Sequence, residues 1–153
     1  MTLTVGELAP DFTLASQHGE DVTLSSFRGD SAVVLVFFPF AFSGVCSGEL
    51  AALRDHYAEF ERLEAEVLTV SCDPMYANRV FADRDGFPFY VLSDFWPHGE
   101  VSRAYGTFND SIGAPNRNSY VIDREGVVRW TTSSPLNQPR NYNEYVKALS
   151  VLS

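Results

Sequence analysis

The run Val33-Val34-Leu35-Val36-Phe37-Phe38 is apolar at every position, and Pro39 closes it. Its length and its β-branched and aromatic content read as a fully buried central strand. Whatever the chain folds into must therefore cover both faces of a sheet. Downstream, Leu50, Leu53, Tyr57 and Phe60 recur at steps of three and four, the spacing of one helix face. Cys46 thus falls in a strand–loop–helix corner, within the first turn of the helix. Unpaired N–H groups and the positive end of the helix macrodipole favour a thiolate there. A cysteine so placed is poised to be a nucleophile.

The flanking segments supply the rest of a sheet and its covering layers. Residues 12–24 read as a hairpin, with Phe12-Thr13-Leu14 and Val22-Thr23-Leu24 on either side of the turn Gln17–Asp21. Val67–Ser71 is the next strand, ended by Cys72-Asp73-Pro74. Residues 75–85 suit a helix with Gly86 as its stop. Phe89–Leu92 is a short strand, Ser93–Gly99 a loop heavy in aromatics, and Val101–Tyr105 a brief helix before Gly106. Ser119–Asp123 and Val127–Thr131 flank the turn Arg124-Glu125-Gly126. A last helix over about residues 140–152 sets Tyr142, Tyr145, Val146, Leu149 and Leu152 on one stripe. This order is that of an α/β thioredoxin-like sandwich, extended by an N-terminal β-hairpin and by an insertion before the last hairpin. A single domain over residues 1–153 accommodates it.

With 45% hydrophobic and 20% charged residues, the composition is that of a globular protein. The formal net charge of −9 repels phosphate backbones and anionic headgroups, so nucleic-acid and membrane-surface roles are not expected. Residues 1–7 show neither a basic region nor an apolar stretch of signal-peptide length, and no segment has the length of a transmembrane helix. Two cysteines in 153 residues make no disulfide scaffold, and a reducing, cytoplasmic setting is the simpler reading.

The spacing Pro-x-x-x-Ser/Thr-x-x-Cys, met by Pro39, Ser43 and Cys46, resembles the active-site signature of peroxiredoxins. The continuation Ser47–Asp55 and the opening Gly6-x-x-Ala9-Pro10-Asp11-Phe12-x-Leu14 are similar to that family as well. The resemblance implies a thiol peroxidase. Cys46 would attack a hydroperoxide oxygen, release water or an alcohol, and become a sulfenic acid. It carries onto Arg117, in Gly113–Ser119, the arginine that contacts both sulfur and peroxide, a task suited to a forked, fixed charge. Ser43 would offer its hydroxyl to the peroxide, with a less restricted rotamer than the threonine of many members. Pro39, lacking an N–H, would shield the sulfur from water. Glu49 would hold the arginine, and helps only in that way, since a carboxylate alone repels a thiolate. No cofactor and no metal is implied.

Phe37–Phe42, Leu92–Gly99 and Val101-Ser102-x-Ala104-Tyr105-Gly106-x-Phe108-Asn109 resemble, more narrowly, the one-cysteine alkyl hydroperoxide reductase E group of actinobacteria. That resemblance implies a homodimer recycled by an external thiol, either mycothiol with mycoredoxin or a thioredoxin-like protein. Cys72 departs from the one-cysteine pattern. It is either a small apolar residue at a strand end or a resolving cysteine, which would need a Cα within about 7 Å of that of Cys46. Phe38, Phe40, Phe42, Phe95 and Trp96 are read as core and subunit contact, or as an apolar mouth for alkyl or fatty-acid hydroperoxides. The residues around Phe95 and Trp96 would suit a homodimer surface.

Other chemistries fit less well. A thiol–disulfide oxidoreductase needs Cys-x-x-Cys, but positions 43 and 49 are serine and glutamate. A cysteine hydrolase needs a histidine base; His18 and His98 sit in turns, and His56 lies ten residues along the helix from Cys46. The cysteines and histidines lack metal-ligand spacing. A peroxide sensor relaying oxidation to a partner protein, or a purely structural module, remains open.

Overall fold

A computed structural model describes residues 3–152. Seven strands form one sheet in the order β2-β1-β5-β4-β3-β8-β9. They are β1 (Thr13–Ala15), β2 (Asp21–Thr23), β3 (Ala32–Phe37), β4 (Ala65–Ser71), β5 (Tyr90–Ser93), β8 (Arg117–Ile122) and β9 (Val128–Ser134). A two-stranded ribbon, β6 (Phe108–Asn109) with β7 (Ala114–Pro115), lies in the insertion. The helices are α1 (Gly44–Asp55), α2 (Tyr57–Arg62), α3 (Met75–Asp85), α4 (Glu100–Ala104) and α5 (Tyr142–Leu152). The sandwich and its N-terminal hairpin are those of the sequence reading, and the hairpin joins the sheet through Ala15 opposite Ser93.

Strand β3 is buried at all six positions because each of its faces fills a separate core. Ala32, Val34 and Val36, with Phe38 beyond the strand, pack against Leu50, Leu53, Phe60, Phe81, Tyr145 and Leu149 of the helices. Val33, Leu35 and Phe37 face Leu68, Val70, Tyr105, Tyr120 and Ile122. The period-2 alternation of a strand thus divides one unbroken apolar run between two layers.

Sheet direction places the functional end. β3, β4 and β5 run parallel, so their last residues share one edge. β8 runs antiparallel to β3, with Ser119 opposite Val36. Its first residue, Arg117, is therefore carried to the edge where β3 ends.

Several boundaries differ from the sequence reading. The helix after Cys46 breaks at His56, whose φ of −115° ends α1, and α2 starts anew so that Phe60 can enter the core. Pairing with β3 extends β4 back to Ala65, and Arg117 lies on β8 rather than in a loop, because it pairs with Ser134 of β9. Helix α3 has the expected bounds, and Gly86 ends it in the left-handed conformation (φ 66°). Gly99 (φ 74°) also cannot be replaced freely, since a Cβ there would meet the Phe108 ring at 2.4 Å. No helix among the described residues is long and apolar enough to cross a membrane.

The core holds two phenols whose protons are fixed by burial. Tyr105 donates to the Pro10 carbonyl at 2.6 Å and Tyr120 to that of Tyr105 at 2.9 Å. Burial pushes Tyr120 from 10.0 up to about 12, and raises Tyr105 further still. Both groups favour the folded state while neutral, so their contribution is full below pH 10.0 and is lost as pH rises toward 12. Melting temperature should fall steeply over that interval. Tyr120→Phe should make the fall shallower, while costing about 1 kcal/mol at neutral pH for the lost hydrogen bond. Equal slopes for both proteins would refute the assignment.

Candidate active site

β3 ends at Phe37, and from Pro39 the chain turns through a short corner into α1. The Ala41 N–H donates to Asp73 Oδ2 at 2.8 Å, tying the corner to the end of β4. Phe42 sits at φ 71°, a left-handed backbone that is costly for a bulky side chain. Its ring is held at 5.2 Å from Phe81, with the Arg84 guanidinium 5.1 Å above it. Ser43 follows in extended conformation as the N-cap of α1, and its carbonyl accepts the Ser47 N–H at 2.8 Å. Its side chain makes no capping bond. Ser43 Oγ is buried and has no hydrogen-bond partner among the described residues. Leaving a buried hydroxyl unpaired costs roughly 1–3 kcal/mol, so a hydroxyl kept in that state is open to a ligand.

Cys46 is the third residue of α1, fully buried, and its thiol is free. One turn on, the buried Glu49 carboxylate accepts four hydrogen bonds. Oε1 takes Arg117 Nη1 at 2.6 Å and Arg140 Nη2 at 2.9 Å. Oε2 takes the Arg140 backbone N–H at 2.6 Å and its Nε at 2.8 Å. All three side chains are nearly solvent-free, at 3–4% exposure. Two guanidinium groups against one carboxylate leave one positive charge in excess beside the cysteine. Burial works against the charge of Arg140, but its bonds to Glu49 and the fields of Tyr145, Glu49 and Cys46 outweigh it and raise the pKa above the ordinary arginine value. Arg117 Nε donates to the Leu136 carbonyl at 2.7 Å, whereas its Nη2 donates to nothing among the described residues.

The structure therefore gathers Pro39, Ser43, Cys46, Glu49 and Arg117 at one edge of the sheet. It adds Arg140, which the sequence reading missed. One signal was present: Arg140 stands just before α5, where the positive end of the helix dipole repels a cation. A cation in that place needs an anion from elsewhere in the fold, and Glu49 lies 91 residues away in sequence.

Cys72 follows β4, buried, with its sulfur 3.9 Å from Ser102 Oγ. Burial first, then the charge of Asp94, pushes its thiol from 9.0 up to about 12. Phe38 is not a mouth residue; it is fully buried against Phe81 at 6.0 Å. Phe40, Phe42 and Phe95 are exposed at 42–45%, and Trp96 at 81%. An apolar groove of about 540 Å³ runs along α1, lined by Gly44, Val45, Gly48, Ala52, Pro139 and Tyr142, with Glu49 and Arg140 at its wall.

The profile of the AhpC/TSA family matches residues 5–131. The chain is 46% identical over 151 residues to alkyl hydroperoxide reductase E of Mycobacterium tuberculosis, covering 99% of both chains. It is 34% identical to chloroplastic peroxiredoxin Q of Suaeda salsa, over 96% of this chain and 68% of that protein. Among solved structures it superposes on peroxidoxin BcpB of M. tuberculosis with a TM-score of 0.89 at 28% identity, covering 99% of each chain. Enterococcus faecalis AhpC gives 0.89 at 27%, covering 99% of this chain and 92% of that one.

Two outcomes test this geometry. Glu49→Gln leaves two buried cations without their counter-charge and should lower stability by about 3–5 kcal/mol in urea titration. A loss under 1 kcal/mol would mean the arginines are hydrated. At pH 8 iodoacetamide should leave Cys72 unmodified in the folded protein and label it once urea unfolds the chain. Labelling of folded Cys72 would contradict its buried, protonated state.

Proposed function

The chain belongs to the AhpC/TSA family, the peroxiredoxins, and from that premise we propose how this thiol peroxidase works and which residues carry the reaction. Cys46, as a thiolate, attacks the terminal oxygen of a hydroperoxide. The O–O bond breaks, sulfur loses two electrons and becomes a sulfenic acid, and the departing oxygen takes a proton to leave as water or an alcohol. The observation that supports this assignment most is the convergence at one buried edge of three things. They are a net positive Glu49–Arg117–Arg140 cluster, an uncommitted Arg117 Nη2 and an unpartnered Ser43 Oγ. The positive excess can stabilise negative charge that develops on the departing oxygen. The uncommitted donors are free to bond peroxide oxygen and the charge that develops as the bond breaks. Pro39 keeps an N–H and its water away from the sulfur.

Cys72 takes no part in turnover. Burial pushes its thiol up to about 12, and its sulfur lies 3.9 Å from Ser102 Oγ, which supports a turnover carried by Cys46 alone. Recycling therefore falls to an external thiol. The first equivalent condenses with the sulfenic acid, forming a mixed disulfide and water, and the second attacks that disulfide and restores Cys46. By likeness to alkyl hydroperoxide reductase E, the reductant is a mycothiol/mycoredoxin-type system in the cytoplasm. The exposed Phe95 and Trp96 form the contact of a homodimer. The apolar groove along α1 accommodates the chain of an alkyl or fatty-acid hydroperoxide.

Rapid mixing of the reduced protein with hydrogen peroxide and with a long-chain hydroperoxide tests the reading. Fast oxidation to a Cys46 sulfenic acid, abolished by Cys46→Ser and unchanged by Cys72→Ser, is the expected result in mass spectrometry. The long-chain substrate should react faster by at least about tenfold if the groove holds its tail. A Cys46–Cys72 disulfide would replace this mechanism with a two-cysteine one. Oxidation no faster than that of free cysteine would defeat the assignment of Cys46.

A further inference from the structure

Arg140 has five N–H donors and uses four of them. Two clamp the Glu49 carboxylate side-on, and Nη1 donates to the Asn118 carbonyl and to Ser119 Oγ, each at 2.9 Å. Ser119 Oγ stands 2.8 Å from the Tyr145 hydroxyl. Both residues are buried, at 0% and 2% exposure. The Ser119 backbone is locked between Val36 of β3 and Thr132 of β9. The Tyr145 ring is locked edge-on against Trp130 at 5.8 Å. A serine hydroxyl by itself rotates among staggered positions; a fixed phenol beside it selects one.

We infer that Ser119 and Tyr145 are positioning residues for the reaction at Cys46, an inference that rests on the functional reading above. Their hydroxyl pair sets the plane of the Arg140 guanidinium. The two-point clamp transmits that plane to Glu49, and Glu49 Oε1 transmits it to Arg117, the group left with donors for the peroxide. The relay runs from α5 to Arg117 through four hydrogen-bonded links, and Ser119 and Tyr145 act only through it. A displacement of a fraction of an ångström at Arg117 lowers the rate of a reaction that depends on aligned donors. Alkylation of the same sulfur needs only a thiolate and no alignment by arginine. A hydroxyl pair that merely filled the core would affect both reactions alike.

The two rates separate these cases. Tyr145→Phe keeps the ring and its packing and removes one oxygen. In the full-length reduced protein it should slow oxidation by hydrogen peroxide about tenfold, with the iodoacetamide rate at Cys46 held within about twofold. Ser119→Ala should do the same, and the double variant should be no worse than either single one, because both act through one link. In an Arg140→Lys background, Tyr145→Phe should cost nothing further. A peroxide rate unchanged by Tyr145→Phe, a matching fall in both rates, or a full tenfold loss persisting beside Arg140→Lys would each overturn the relay. Wild-type protein that shows no preference for peroxide over an alkylating agent would instead overturn the functional reading on which the relay rests.

Discussion

Glu49 carries one negative charge between two buried guanidinium groups, and most of the functional end depends on that arrangement. Removing three charges from water costs several kcal/mol each, and the cost is offset only where geometry is good and every lone pair is used. Glu49 meets that condition with four hydrogen bonds, one of them from the Arg140 backbone. Three separate pieces of chain are joined there: helix α1, the start of β8, and the segment leading to α5. The segment between β9 and α5 is held there by Arg140 on Glu49, Asn118 and Ser119, and its Leu136 carbonyl anchors Arg117 Nε.

The scaffold makes that convergence possible through strand direction alone. Parallel β3 and β4 deliver Cys46 and Asp73 to one edge, where Asp73 holds the corner through the Ala41 N–H. Antiparallel β8 brings its beginning, not its end, to the same place. The corner itself is strained at Phe42 and leaves Ser43 Oγ unpaired. Strain and an unsatisfied polar atom thus fall together at the corner that leads into Cys46.

The parts of the molecule legible in the sequence were those set by local pattern. The β3 run, the placement of Cys46 in the first turn, the bounds of α3 and the N-terminal hairpin all follow from periodicity and from turn residues such as Gly86. The break at His56 was not legible, because the apolar spacing continues across it and only packing of Phe60 required a restart. Phe38, the last residue of the apolar run, is fully buried in the core, whereas Phe40, Phe42, Phe95 and Trp96 remain exposed.

The sequence by itself determined that a cysteine would stand at the start of a helix behind a buried strand, and which short motif would surround it. Tertiary structure alone decided what charge that cysteine meets. Arg117 and Arg140 lie 68 and 91 residues from Glu49, and local spacing does not tell that all three meet at one buried carboxylate. It also decided that the Cys72 thiol is pushed up, since a strand-end thiol titrates according to the desolvation its neighbours impose. The physical reason is the same in both cases. Helix and strand signals are written in local spacing, whereas burial and electrostatic fields are set by residues that only the sheet topology brings together.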